Sequence, residues 1–281
     1  MVNLVLVEKN GKEFEFSLPE SMNEMTEKQL VFLSKLVEST DPIQEIKTKM
    51  LLFCMGARLK RKRRKNNFFR IRAKRHTFKM QAGQLMEAVS VFNYLFIEEE
   101  DGNCYLDTRL TICPYPTLRI AGLFKFYSPA EALTDIVYDR YVFLETYFER
   151  MQTEPAMTYA FWGTLLRPKE KKFDKNILRL GLMRLIAPRK VVLLSWYFLG
   201  SIRFIKDKFP RIFAGANSSA GGSSPYDNQQ KLLDFIAKAD PDKKIRMKHT
   251  NLYEVLYSLD YLMEEAERKK KELNDLKMKK K

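Results

Sequence analysis

Histidine is almost missing from this chain: His76 and His249 are the only two in 281 residues. They lie far apart, and neither has a carboxylate or thiol at ligand spacing on a predicted helix face, so no metal site is expected. Cysteine is scarce too. Cys54, Cys104 and Cys113 form no C-x-x-C pair and follow no secretory signal, so free thiols in a reducing, cytoplasmic compartment are expected. Neither G-x-x-x-x-G-K-[ST] nor G-x-G-x-x-G occurs, and Gly221-Gly222 lacks the preceding strand and following lysine of a phosphate cradle. No nucleotide or other cofactor is implied. The longest apolar run, Val191 to Gly200 with Ile202 beyond it, is flanked by Arg189, Lys190 and Arg203. It falls short of the roughly 20 residues of a membrane span, so a buried helix is expected and no membrane partner. Acid is lacking in one stretch, with none between Glu45 and Glu87, where fourteen lysines and arginines fall. They nearly equal the whole net charge of +15. The remainder is close to balanced, so the basic pI describes that segment and the C-terminal tail.

What is present is ample for a core: 45% hydrophobic and 12% aromatic residues, in a length that suits one large domain or two small ones. The predicted fold class is mainly α with an N-terminal β-hairpin, an α+β chain built on a helical bundle with a flexibly linked C-terminal helical segment. Leu4-Val5-Leu6-Val7 and Phe14-Glu15-Phe16-Ser17-Leu18 flank Asn10-Gly11, a dipeptide that tolerates the positive φ of a type I′ turn. Thr26, with Gln29 three positions later, reads as a capping box before a helix carrying Leu30, Leu33, Leu36 and Val37. Asp41-Pro42 opens a second helix, which Gly56 ends.

A third helix is predicted from Gln84 to Ile97, a short strand from Cys104 to Cys113, and irregular chain through Tyr127-Ser128-Pro129. The most apolar surface with a start signal is Thr134 to Met151, where Thr134 serves as N-cap and Asp135 favours the helix dipole. Helices over Met157 to Leu166, Ile177 to Ile186 and Pro188 to Phe204 complete a bundle. Two more are predicted over Asn228 to Lys238 and Asn251 to about Lys271. The resulting parts are 1–57, hairpin and two helices; 58–80, a basic arm or loop; 81–213, the helical core; 214–226, a flexible linker by composition; and 227–281, C-terminal helices with a basic tail.

Catalytic patterns fail one by one. Ser195 lies in the most apolar stretch, without a G-x-S-x-G elbow. Glu98 to Asp107 fails as a calcium loop, because Gly102 at the sixth position leaves Ile97 first and Thr108 twelfth. Asp135 with Asp139, and Glu145 with Glu149, share a helix face, an arrangement more often a solvated strip than a metal site. No enzyme is expected.

Two surfaces remain for partners. Arg58, Lys60, Arg61, Lys62, Arg63, Arg64, Lys65, Arg70, Arg72, Lys74 and Arg75 can neutralise phosphates or meet an acidic protein. Beside them Phe68, Phe69, Phe78 and His76 offer rings for stacking on single-stranded bases. Self-repulsion among these charges predicts a mobile loop or solvated arm, although Phe69-Arg70-Ile71-Arg72 alternates as an edge strand does. The C-terminal stripe of Leu252, Leu256, Leu259 and Met263 packs back on the bundle by default, with mating to a helix of another chain as the alternative.

Several short stretches together resemble a group of proteins from tailed-phage and prophage structural modules, in the region where tail assembly chaperones are encoded. They are Phe16-Ser17-Leu18-Pro19 with Met25 to Leu30; Ser128-Pro129 to Met151; Leu166-Arg167-Pro168 with Phe173-Asp174; Trp196-Tyr197-Phe198 with Phe209-Pro210; and Thr250 to Glu267. The resemblance implies an assembly factor without an active site that shields an aggregation-prone tail protein such as a tape measure. The basic segment after Leu59 departs from that pattern and keeps nucleic acid open as an alternative partner.

Overall fold

The computed structural model describes residues 1–8, 11–60, 68–73, 75–98, 103–168, 180–213, 225–238 and 240–278. Its elements make a mainly helical α+β fold. They divide into two compact units, Met1–Leu110 with Pro188–Leu199, and Thr111–Ala187 with Gly200–Lys281.

In the first unit β1 (Val2–Val7) pairs antiparallel with β2 (Glu13–Leu18), from Val2 opposite Leu18 to Val7 opposite Glu13. Gly11 takes φ +81° and donates its N–H to the Glu8 carbonyl at 2.9 Å, the tight turn that a residue without Cβ permits. Leu4, Leu6, Phe14, Phe16 and Leu18 alternate inward while Asn3, Glu13, Glu15 and Ser17 face water. The predicted capping box opens α1 (Glu27–Val37): Gln29 N–H donates to Thr26 Oγ1 at 3.3 Å and Thr26 N–H to Gln29 Oε1 at 2.7 Å. In α2 (Ile43–Cys54), Phe53 stacks on Phe32 of α1 with centroids 4.1 Å apart. Gly56, at φ +59°, turns the chain out of α2 as expected.

The described part of the basic segment is sheet rather than loop or arm. Strands β3 (Ala57–Lys60), β4 (Phe68–Ala73) and β5 (His76–Gln81) form an antiparallel meander in that order; residues 61–67 and 74 lie outside the described chain. Alternation outweighs charge here. Ile71, Ala73, Phe78 and Met80 are buried on one face, where Phe78 meets the edges of Phe14 and Phe16. Burying Ile71, Phe78 and Met80 contributes about 1.5–3 kcal/mol each. The cations point to solvent, where water screens them.

After α3 (Ala82–Ser90) the predicted longer helix gives way to a 3-10 turn, Val91–Leu95, and to the pair β6 (Phe96–Glu98) and β7 (Cys104–Leu106). At three residues per turn Phe92 and Leu95 fall on one face, and both are fully buried.

The second unit begins with a hairpin where irregular chain is predicted: β8 (Thr117–Ile120) and β9 (Phe124–Tyr127), joined through Ala121 at φ 51° and Gly122 at φ 72°. Helix α4 (Tyr138–Arg150) starts four residues later than its cap signal. Thr134 instead donates its hydroxyl to Glu131 O at 2.9 Å, and Asp135 accepts from Ala130 N–H at 2.7 Å. Tyr138 N–H donates to Thr250 O and Leu252 N–H to Ile136 O, at 3.0 and 2.9 Å, so a bridge from distant chain replaces the first helical turn.

The remaining helices are α5 (Met157–Leu165), α6 (Leu180–Met183), α7 (Pro188–Lys208), α8 (Pro210–Phe213), α9 (Pro225–Ala237), α10 (Pro241–Lys248) and α11 (Leu252–Met278). Helix α10 has no counterpart in the sequence reading. Asp240 caps it, accepting from the Asp242 and Lys243 N–H groups at 2.9 and 3.1 Å, and Pro241 fits its first turn. Helices α9 and α11 pack on α4, so the C-terminal helical segment is part of the second unit's core. The expected linker lies outside the described residues through 224, and Pro225-Tyr226 already begin α9.

Candidate functional site

The register of β3, β4 and β5 sorts the basic segment into two faces. Arg58 stands opposite Arg72, and Arg72 opposite Thr77; Lys60 stands opposite Arg70, and Arg70 opposite Lys79; Phe68 stands opposite Gln81. Directly opposed residues share a sheet face. Arg58, Lys60, Arg70, Arg72 and Lys79 are all exposed on that face, with Phe68 at 43% exposure beyond them. None of the five has an ion-pair partner among the described residues. Among the described residues of the three strands, none on this face is a carboxylate.

Of the other predicted residues, Arg75 is exposed next to the start of β5, while Arg61, Lys62, Arg63, Arg64, Lys65 and Lys74 lie outside the described chain. Three of the four rings proposed for base stacking are turned the other way. Phe78 is buried, Phe69 is half-buried on the inner face, and His76 packs on Phe14 at 4.2 Å with Nδ1 3.4 Å from a Glu8 carboxylate oxygen. Unbroken period-two alternation would group Phe68 with His76 and Phe78; the change of parity between Ala73 and His76, which pair across the turn, is what separates them. Lys47 and Lys49, counted in the acid-free stretch, are also committed elsewhere. Lys47 Nζ donates to Asn93 Oδ1 at 2.8 Å, and Lys49 pairs with Asp41 and Glu45 at 2.7 and 2.8 Å.

On α11 the predicted partner stripe is used internally: Leu252, Leu256 and Leu259 are fully buried in their own unit, and Met263 is half-buried. A neighbouring face is open. A cavity of about 610 Å³ is lined by Ile236 of α9, Met247 of α10, and Val255, Tyr257, Tyr261 and Leu262 of α11. Ile236 and Val255 are buried at its floor, and Tyr257 and Tyr261 are 53% and 67% exposed. Lys243 and Glu254 add one charge of each sign. Sequence reasoning missed this face because its residues come from three helices, one of them unpredicted.

A polar cluster lies in the second unit. Tyr138 donates to Gln229 Oε1, Gln229 Nε2 donates to a Glu145 oxygen at 2.9 Å, and the buried Tyr141 hydroxyl lies beside the same carboxylate. Burial raises the Glu145 pKa, against the opposing pull of Tyr141, Lys206 and Gln229. Burial likewise raises both tyrosines. The hydrogen bonds run between α4 and α9.

Among the described residues no group of three His, Cys, Asp or Glu side chains is arranged to hold a metal ion, and no helix is long and apolar enough to cross a membrane. The three cysteines are free thiols, with Cys104 exposed, Cys54 half-buried and Cys113 buried. Burial pushes Cys54 up to about 11, despite a hydrogen bond from Gln29.

Comparison with protein-family models, with curated proteins and with solved structures gives no match in any of the three.

Proposed function

We propose that this chain is a non-catalytic assembly factor of a tailed phage or prophage, related in role to tail assembly chaperones, that acts in the host cytoplasm by binding and shielding a tape-measure or other tail protein. The observation that carries the reading is the open face on α9, α10 and α11. A helix-binding groove needs an apolar floor, adaptable walls and a rim that tolerates water in the empty state. Ile236 and Val255 supply the floor, Met247 and Leu262 the walls, and the tyrosines the rim. Methionine and tyrosine suit such a surface, one by its flexible stem and the other by its amphipathic ring. The resemblance of Thr250 to Glu267 to the tail-module proteins falls on the same helix.

Co-expression with the tape-measure protein of the same genome tests this. The tail protein should stay in the soluble fraction with this chain and co-purify with it. The double variant Tyr261→Ala, Leu262→Ala should keep a cooperative melt and lose that effect; Tyr257 stays in place because its ring packs edge-on against Phe209, centroids 5.0 Å apart. Co-purification undiminished in the double variant, or a tail protein equally soluble without the chain, refutes the proposal.

A further inference from the structure

The exposed face of β3–β4–β5 offers a second activity, independent of the tail-protein groove: we propose that it binds single-stranded nucleic acid through the phosphate backbone, without reading sequence. Its cations lie in two rows, Arg58 with Arg72 and Lys60 with Arg70 and Lys79. Strands stand about 4.8 Å apart and alternate residues along a strand roughly 6.6 Å apart. Like charges placed directly opposite each other destabilise a sheet, and threonine or valine at these positions would cost nothing in the core. An anion laid along the rows removes that repulsion.

A phosphodiester strand is the anion that suits a face with no acid on it, because every nucleotide carries a charge of one sign. The surface of a folded acidic protein mixes signs, and its own basic side chains would meet like charge on this face. Arginine, three of the five cations, also offers a planar fork to phosphate oxygens. Phe68 continues the line of Arg70 and Arg72 along β4, with its ring open to water. Aromatic rings beside cations on an open sheet are what unstacked bases pack against. A duplex keeps its bases stacked inside and gives that ring no partner.

Fluorescence anisotropy on the full chain tests the proposal, with labelled oligothymidine and a mixed-sequence duplex across a salt series. Oligothymidine should bind more tightly than duplex, with affinity falling linearly on a log–log salt plot. The double variant Arg70→Thr, Arg72→Thr should flatten that slope by about 1.4, two phosphate contacts at roughly 0.7 each. Phe68→Ala should weaken binding about five-fold or more and leave the slope alone. The double variant should melt no lower than the parent, so that lost binding is not lost fold. Absence of salt-sensitive binding, a slope unchanged in the double variant, or tighter binding of duplex overturns the proposal. So does binding of polyglutamate without oligothymidine, which would assign the face to an acidic protein. A failed tail-protein co-purification leaves this outcome untouched, since the two surfaces share no residue.

Discussion

If the cations of the meander face are held against their mutual repulsion, removing the right one should stabilise the protein, by an amount set by its neighbours. Arg70 is the central case: it stands between Lys60 on one side and Lys79 on the other, whereas Arg72 stands between Arg58 and the neutral Thr77. A directly opposed like-charge pair costs about 0.2–1 kcal/mol in a sheet. Arg70→Thr therefore removes two such pairs, about 0.4–2 kcal/mol, and Arg72→Thr removes one. The intrinsic strand preference of threonine is common to both variants, so the difference between them isolates the charge effect. Urea unfolding at low salt should show a higher midpoint for both, Arg70→Thr highest, with the slope of the transition unchanged. At about 1 M salt the screening length falls to about 3 Å, shorter than the spacing between strands, and most of the gain should vanish. If Arg70→Thr gains no more than Arg72→Thr, or if the gains survive high salt, the two-row reading of this face is wrong.

The two sides of α11 predict opposite outcomes for alanine substitution. Leu259→Ala, at a fully buried position, should cost about 2–5 kcal/mol, while Tyr261→Ala, at 67% exposure, should leave the midpoint within about 0.5 kcal/mol; equal effects in urea unfolding would deny that the two faces differ. Glu145 sets a pH dependence. Its folded pKa lies above its unfolded value, so the folded state holds more protons just above the ordinary glutamate range, and stability falls as pH rises there. Glu145→Gln should therefore show an advantage over the parent that grows between about pH 4 and neutrality; a difference in melting temperature that stays flat with pH contradicts the raised pKa. Thiol labelling of the native protein near pH 8 should modify Cys104 quickly, and Cys54 and Cys113 only on unfolding. Fast labelling of all three, read by intact mass, would show that the latter two are not enclosed.

The features legible in the sequence were those written within a few residues. Thr26 and Gln29 close their capping box through atoms three positions apart, Pro188 starts α7 because its missing N–H is unneeded there, and Gly11 takes the positive φ of the first hairpin. Those that were missed depend on chain far away. The β8–β9 hairpin turns through Ala121 and Gly122, and Ala121, a residue that seldom adopts positive φ, hides the two-residue turn beside a lone glycine. Thr134 and Asp135 hold the chemistry of a helix start, yet the bridge to Thr250 and Leu252 delays α4 to Tyr138. No local rule weighs a partner more than a hundred residues off. The basic segment shows the opposite error. Its charge was conspicuous and its alternation weaker, but net charge governs what a surface attracts, and alternation governs whether it is a surface at all.

The same distinction bears on where a partner can dock on α11. A heptad-like stripe is equally suited to the chain's own bundle and to a foreign helix, and only the location of complementary apolar surface decides between them. Here α4, α8 and α9 pack on α11, and Leu252, Leu256 and Leu259 are fully buried. The partner proposed above would then be met by side chains outside the stripe. Tyr257 and Tyr261, one turn apart on the adjoining face, fit a periodicity of four but break the heptad, so the stripe passes them by. They become candidates only once α10, invisible in the hydrophobic pattern, brings Met247 beside them. Periodicity can thus identify which stripe a helix buries, and the residues left for recognition are found by subtracting it.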